Sequence, residues 1–228
     1  MMAVLLRATY QSTNPPIHQS TNPPIHHIPP VFLLSPARCD GRRAQLLLNP
    51  TAGFPLASTL RGGSAPIGEV FSFLSGLYFR GKLAYARAFG HHPDTEPGIL
   101  VITTNRGLVA PETPISFDDI NSFATLDIAG GGTGFSAPLR RDAERLRTPI
   151  DPERLVVLLG SIATGKYADV LLEVFGDRVV FPSDFVGRGD MSRGGLMLRC
   201  VREQRELAYI AVNGAVRHGK RPPKLENP

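Results

Sequence analysis

The sequence predicts a three-layer α/β domain with a mostly parallel sheet and an antiparallel hairpin at its C-terminal edge. Three observations carry this. Short apolar, β-branched runs such as GILVITT (98–104) and RLVVLLG (154–160) read as buried strands. Between them lie segments with apolar residues at three- and four-residue steps, the spacing of helices packed on one face. The two kinds alternate along most of the chain, which favours parallel strands joined by helical crossovers.

The bulk numbers set limits. The chain has 228 residues, enough for one good core. It is 42% hydrophobic and 20% charged, an ordinary globular balance. A net charge of +5 and a pI near 9.6 favour an anionic partner, such as a nucleotide, a nucleic acid or an anionic surface. Two cysteines, Cys39 and Cys200, do not make a disulfide framework, and a reducing cytoplasm fits them. No zinc-like cluster occurs. No apolar run approaches the roughly 20 residues of a membrane span, so no membrane partner is expected.

Residues 1–44 read as a disordered, low-complexity extension, from a translation start assigned too early. QSTNPPIH at 11–18 recurs unchanged at 19–26, and each copy carries a Pro-Pro pair that favours extended conformations. His18, His26 and His27 belong to this duplication and are read as its by-products rather than as metal ligands. The single α/β domain is then 45–216, followed by a basic, flexible tail, 217–228.

Taken in order, QLLLN (45–49) reads as the first strand, ending at Asn49-Pro50, and 51–66 as a Gly- and Pro-rich loop. From Ile67 the pattern is helical through Val70, Phe71, Leu74, Leu77 and Tyr78, then Leu83, Ala84, Ala86 and Phe89. Gly76 and Gly81 divide this stretch, and Gly90 stops it. GILVITT is a strand. FDDINSFA is a short helix with Ser116 as its cap. AGGGTGF (129–135) is a flexible linker, and PLRRDAERLR (138–147) is a basic surface helix. RLVVLLG is a strand, KYADVLLEVFG a helix stopped by Gly176, and DRVVFP another strand. SDFVGRGDMSRGG (183–195) is a second long loop, and LMLRCV and ELAYIAV flank REQR as the closing hairpin.

Ligands of parallel sheets sit beyond the carboxyl ends of the strands. The segments expected there are Asn49 onward, Thr103 to Gly107, Ser161 to Lys166, and Ser183 to Arg193. GSIATGKY (160–167) follows a strand and precedes a helix, and it fits Gly-x-x-x-x-Gly-Lys. Tyr167 stands where a nucleoside triphosphatase needs a small hydroxyl for magnesium. A helix start draws anions even without that hydroxyl, so Ser161, Thr164, Gly165 and Lys166 are candidate anion ligands. Arg106, Arg188, Ser192 and Arg193 are further candidates from neighbouring strand ends. Asp184, Asp190 and Asn49 are candidates for contact with the reacting part, a carboxylate serving as general base or as nucleophile toward a sugar carbon. Glu69 is another acid that could approach. His91 and His92 read as turn residues, and Cys200 as a buried structural thiol.

Three stretches resemble a group of uncharacterised bacterial and phage domains: SGLYFRGKLAYARAF, GILVITTNRGLVAPETPI, and GSIATGKYADVL followed by FPSDFVGRGD. In that group a helix of the type LYxxxLFRKARAYA precedes a strand ending SAKYGLVxPDTxI, and AGxxYxxxL follows. The matching residues are Leu77, Tyr78, Phe79, Arg80, Lys82, Ala84 and Tyr85; Gly107, Leu108, Val109, Pro111 and Thr113; and Gly165, Lys166 and Tyr167. The resemblance spans about 75–200. ITTNRG replaces the group's Ser-Ala-Lys, and LLLNPTAG stands for its early Cys-containing strand end. The resemblance implies a Rossmann-like fold and a link to nucleoside- and nucleic-acid-modifying α/β proteins. It also accounts for Tyr167 as part of that group's own turn.

The expected function is the handling of a nucleotide or nucleoside by a glycosidic-bond hydrolase or transferase. A non-catalytic nucleic-acid-binding module using 138–147 and the tail is the alternative. A magnesium-dependent P-loop phosphotransferase is a further one, and only there is a cofactor expected.

Overall fold

In the computed structural model, residues 28–90, 97–125, 133–163, 165–216, 219–220 and 222–223 are described. The duplicated QSTNPPIH segment with its histidines, the His91–His92 pair, Thr164 and most of the tail lie outside them.

The elements run β1 (Val31–Leu34), α1 (Arg42–Leu48), α2 (Pro55–Arg61), β2 (Ala65–Pro66), α3 (Ile67–Ser75), α4 (Leu77–Phe89), β3 (Ile99–Ile102), β4 (Leu108–Val109) and β5 (Pro114–Ile115). They continue through α5 (Phe117–Thr125), α6 (Thr133–Arg147), β6 (Val156–Leu159), α7 (Ala168–Phe175), β7 (Val179–Pro182), α8 (Asp190–Arg202) and β8 (Tyr209–Ala211). Six strands form one sheet in the order β4-β3-β1-β6-β7-β8, and β2 pairs with β5 in a small antiparallel sheet. The four inner strands are parallel, with Leu34 opposite Val101 on one side and Leu159 on the other. Both edge strands, β4 and β8, are antiparallel. Helix α4 packs on α8, and α6 packs on α7. Right-handed crossovers put these pairs on opposite faces, which gives the three-layer, Rossmann-like α/β arrangement. Among the described residues no helix is long and apolar enough to cross a membrane.

Several local expectations hold. Gly76 separates α3 from α4 at φ 61°, and Gly176 ends α7 at φ 58°. Ser116 and Asp119 cap α5 reciprocally: the Ser116 Oγ accepts from the Asp119 N–H at 3.3 Å, and the Asp119 carboxylate accepts from the Ser116 N–H at 2.9 Å.

Others are corrected. The central strand, β1, lies within residues 1–44, the expected extension, so the domain does not begin at residue 45. All four of its residues are fully buried, which follows from pairing on both edges and helix cover on both faces. QLLLN belongs to helix α1 instead of a strand. Ala44 and Leu47 face the core while Leu46 is exposed, a helical alternation that three consecutive leucines conceal. Residues 51–66 are not a structureless loop; they carry α2, opened by Pro55. LMLRCV belongs to α8, where Gly194, Met197 and Cys200 recur at three-residue steps and are buried. The C-terminal edge is therefore antiparallel through β8 on β7, with a helix before it in place of a hairpin. Gly81 does not break α4. It meets Gly194 of α8, where a Cβ at Gly81 would lie 2.7 Å from the Gly194 carbonyl oxygen.

Two outcomes are expected. Removing residues 1–44 deletes β1, whose four buried side chains contribute about 6–12 kcal/mol, comparable with a whole domain's stability. The shortened chain should show no cooperative unfolding transition in urea. Gly81→Ala gains about 1 kcal/mol of helix propensity. It should still lose about 1–3 kcal/mol by denaturant titration, because the α4–α8 contact is backbone on backbone.

Candidate functional site

From β1 the chain passes to β3 on one side, then returns to β6 on the other. The switch point therefore lies between β1 and β6, where ligands of such sheets bind. A cleft of about 560 Å³ opens there. One wall is the segment after β1, with Ser35, Arg38, Arg42 and Arg43; the opposite wall is the loop after β6, with Ser161, Lys166 and Tyr167. Ser75 and Tyr78 close it from α3 and α4, and Asp190 reaches it from the start of α8.

The charge in the cleft is unbalanced. Four cations, Arg38, Arg42, Arg43 and Lys166, line it with a single carboxylate, Asp190. Arg38 pairs with Asp40 at 2.8 Å in an exposed contact, and Arg43 donates to the Phe73 carbonyl at 3.0 Å. Arg42 and Lys166 have no carboxylate partner among the described residues. Water screens such charges at the surface, but a concave wall holds the field and raises the local anion concentration.

Behind the wall, Lys82 of α4 is fully buried. Its Nζ lies 2.6 Å from the Ser35 carbonyl oxygen and 2.9 Å from Ser35 Oγ, and 4.4 Å from the centre of the Tyr78 ring. Burial brings the ammonium down to about 7; Asp190 opposes that shift and Arg193 adds to it. Tyr78 is 6% exposed, and its hydroxyl has no hydrogen-bond partner among the described residues. Burial pushes that phenol up to about 12. Cys39 is buried just beyond the cleft, and burial with the Asp40 charge pushes its thiol up to about 12, away from nucleophilic use.

Of the residues expected from sequence, Ser161, Lys166 and Asp190 meet in the cleft. Gly165 is buried at φ 68° and turns the loop into α7, its carbonyl accepting from the Asp169 N–H at 2.8 Å. Thr164 lies outside the described residues. The other candidates do not line the cleft, although Arg193 stands close enough to Tyr78 and Lys82 to act on both electrostatically. Arg193 binds the Phe185 carbonyl through two nitrogens at 3.1 and 2.9 Å and faces a small crevice shared with Gly160 and Ser161. Arg188 bonds the Asp184 carbonyl and Ser192 Oγ, so these three form a local cluster at the turn into α8. Arg106 pairs with Asp119 and lies over the Phe123 ring, committed to α5. Asn49 is exposed and accepts from the Thr51 N–H at 2.9 Å, a turn residue rather than a site residue. Glu69 does not line the cleft.

Sequence reasoning missed Ser35, Arg38, Arg42, Arg43, Tyr78 and Lys82. A signal was present: VFLLSPARCDGRR is an apolar run followed by Ser-Pro and three arginines, but it adjoins the low-complexity repeat. The early strand ends at Leu34 and leads into SPARCD with Cys39, so LLLNPTAG is not this chain's first strand end. Comparison with family models, with curated proteins and with solved structures gives no match.

Two measurements follow from these buried groups. Tyr78→Phe removes a buried hydroxyl whose polar neighbour, Arg193, is itself bonded to the Phe185 carbonyl, and should change stability by no more than about 1 kcal/mol in urea titration. Lys82 binds its proton more weakly folded, at about 7, than unfolded, near 10.5. Between those values the unfolded chain holds the proton and the folded chain does not, so stability rises with pH, by at most about 1.4 kcal/mol per pH unit. The difference between the wild type and Lys82→Met, taken from pH 7 to 9, should show that rise; Cys39 is common to both and cancels.

Proposed function

We propose that this protein handles a nucleotide or phosphorylated nucleoside, bound in the cleft between β1 and β6. The observation that carries the reading is four cations against one carboxylate at the topological switch point of a parallel sheet. Arg42 and Lys166, on opposite walls, are the pair to hold phosphate oxygens, with Ser161 as a neutral donor. Leu74 and the rings of Tyr78 and Tyr167 supply apolar surface for a base or sugar. The volume lies within the roughly 300–1,000 Å³ of small-ligand sites. Asp190 is the one lining carboxylate, so a reaction at a glycosidic bond would fall to it. The resemblance over about 75–200 supports the same substrate class.

The nucleic-acid module draws less support. On α6, Arg140 pairs with Glu173, Arg141 and Arg145 pair with Asp142, and Arg147 donates to the Val174 carbonyl. These cations are largely spent within the fold. The P-loop reading also draws less, because the Tyr167 ring packs edge-on against Phe135 and Asp184 lies away from the cleft.

Thermal shift on the full chain, with and without magnesium, tests the reading with nucleosides, nucleoside mono- and triphosphates and short single-stranded DNA. A nucleotide at a hundred times its Kd should stabilise by about 2.7 kcal/mol, while the bare nucleoside does less. Arg42→Ala and Lys166→Ala should each weaken binding by about 10- to 100-fold. A nucleotide shift undiminished in the double variant, or no shift from any phosphate-bearing nucleoside, sinks it.

A further inference from the structure

Simple binding does not require the contact between Lys82 and Ser35. A buried lysine is ordinarily tied to a carboxylate, and the hydrogen-bond partners found for this one are both on a single serine, its carbonyl at 2.6 Å and its hydroxyl at 2.9 Å. The nitrogen donates to the carbonyl and lies within hydrogen-bond distance of the hydroxyl, so in the neutral amine the lone pair is in reach of the hydroxyl proton. Ser35 is the first residue past the central strand, at the switch point, and it lines the cleft. Gly160 allows that close approach, since a Cβ there would lie 2.9 Å from the Ser35 Cβ.

We propose that Ser35 is a nucleophile activated by Lys82 as its general base, and that the cleft processes a phosphoester of a nucleoside through a covalent phosphoserine. The substrate class rests on the nucleotide reading above; the dyad does not. Ser35 Oγ attacks phosphorus and gives its proton to Lys82 Nζ. The Oγ–P bond forms as the bond from phosphorus to the leaving oxygen breaks on the opposite side, and that oxygen takes a proton from solvent in the cleft. Water then attacks the phosphoserine from the open side and gives its proton to solvent, while Ser35 Oγ leaves and recovers its own proton from Lys82. Arg42 and Lys166 face the charge on the phosphoryl oxygens. The Tyr78 hydroxyl makes no hydrogen bond within normal range and has the Arg193 guanidinium beside it, so it can turn as a donor to one of those oxygens.

The protonation state agrees with the role. Burial is the main influence on Lys82 and favours the neutral amine. From α8, Asp190 favours the charged form and Arg193 the neutral one, while Tyr78 and Phe79 of α4 present rings to the amine. A base that titrates near neutrality is matched to taking a serine proton at physiological pH.

The test is labelling of the full chain by an alkyl fluorophosphonate, which reports attack on phosphorus by displacement of fluoride. Peptide mass spectrometry should place one adduct on Ser35, and its rate should rise with pH through an apparent pKa of about 7. Ser35→Ala should abolish it. Lys82→Met, a close match in length, should slow it by at least about 100-fold with the unfolding transition retained. A nucleotide that raises the melting temperature should protect Ser35. No adduct on Ser35 in folded protein overturns the dyad, as does a rate that is flat with pH or unchanged in Lys82→Met. The pH profile of the wild type decides if Lys82→Met does not fold. Nucleotide binding without an adduct removes the dyad and leaves the binding reading standing. An adduct that no nucleotide protects keeps the dyad and removes the substrate class.

Discussion

Everything in this fold hangs from Val31–Leu34. That strand is hydrogen-bonded on both edges, to β3 and to β6, so without it the sheet falls into two pieces that share no ladder. It is fastened at both ends by long buried basic side chains. At its start, Arg154 Nε donates to the Pro29 carbonyl at 2.8 Å. At its end, Lys82 binds Ser35. Both side chains are fully buried, and each is hydrogen-bonded to main-chain oxygen. The strand that completes the core thus also delivers Ser35 and the arginine-rich segment to the cleft.

Helix α4 links that strand to the rest of the site. One face carries Lys82 and Tyr78 toward β1, and Gly81 lets α8 approach at backbone distance. The close approach brings Asp190 and Arg193 within electrostatic range of Lys82. Farther along, Tyr85 shares a 2.7 Å hydrogen bond with Tyr209 and accepts from the Leu207 N–H, which ties β8 to the same helix. A shift of α4 would therefore disturb the cleft, the α8 start and the C-terminal edge together, because close-packed interfaces transmit displacement rather than absorb it.

Charge is distributed with the same economy. Arginines on α6 are matched by Glu173 and Asp142 within hydrogen-bond or ion-pair reach, so that face presents little net field. Among the cations without a carboxylate partner, Arg42 and Lys166 stand on two walls of one concavity. The excess of +5 in the whole chain favours some anion, and the cleft gathers four of the chain's cations in one place.

Residue pattern alone determined the α/β class, the strands 99–102, 156–159 and 179–182, the two helices split by Gly76, and the Ser116 cap. Each of these is a local property, expressed in short apolar runs, helical periodicity or a single capping oxygen. It also marked Ser161, Lys166 and Asp190, because strand-end loops in alternating folds have a known address. Tertiary structure decided the rest. VFLL and QLLL are both short apolar runs, and only pairing and packing partners make the first a central strand and the second a helix. Whether Arg106, Arg188 and Arg193 are ligands or structural ties depended on Asp119, Ser192 and Phe185, none of which sequence spacing assigns to them. Lys82 and Ser35 are forty-seven residues apart and meet because a helix crosses beneath a strand end. A contact of that kind has no local signature, since it arises from burial and topology.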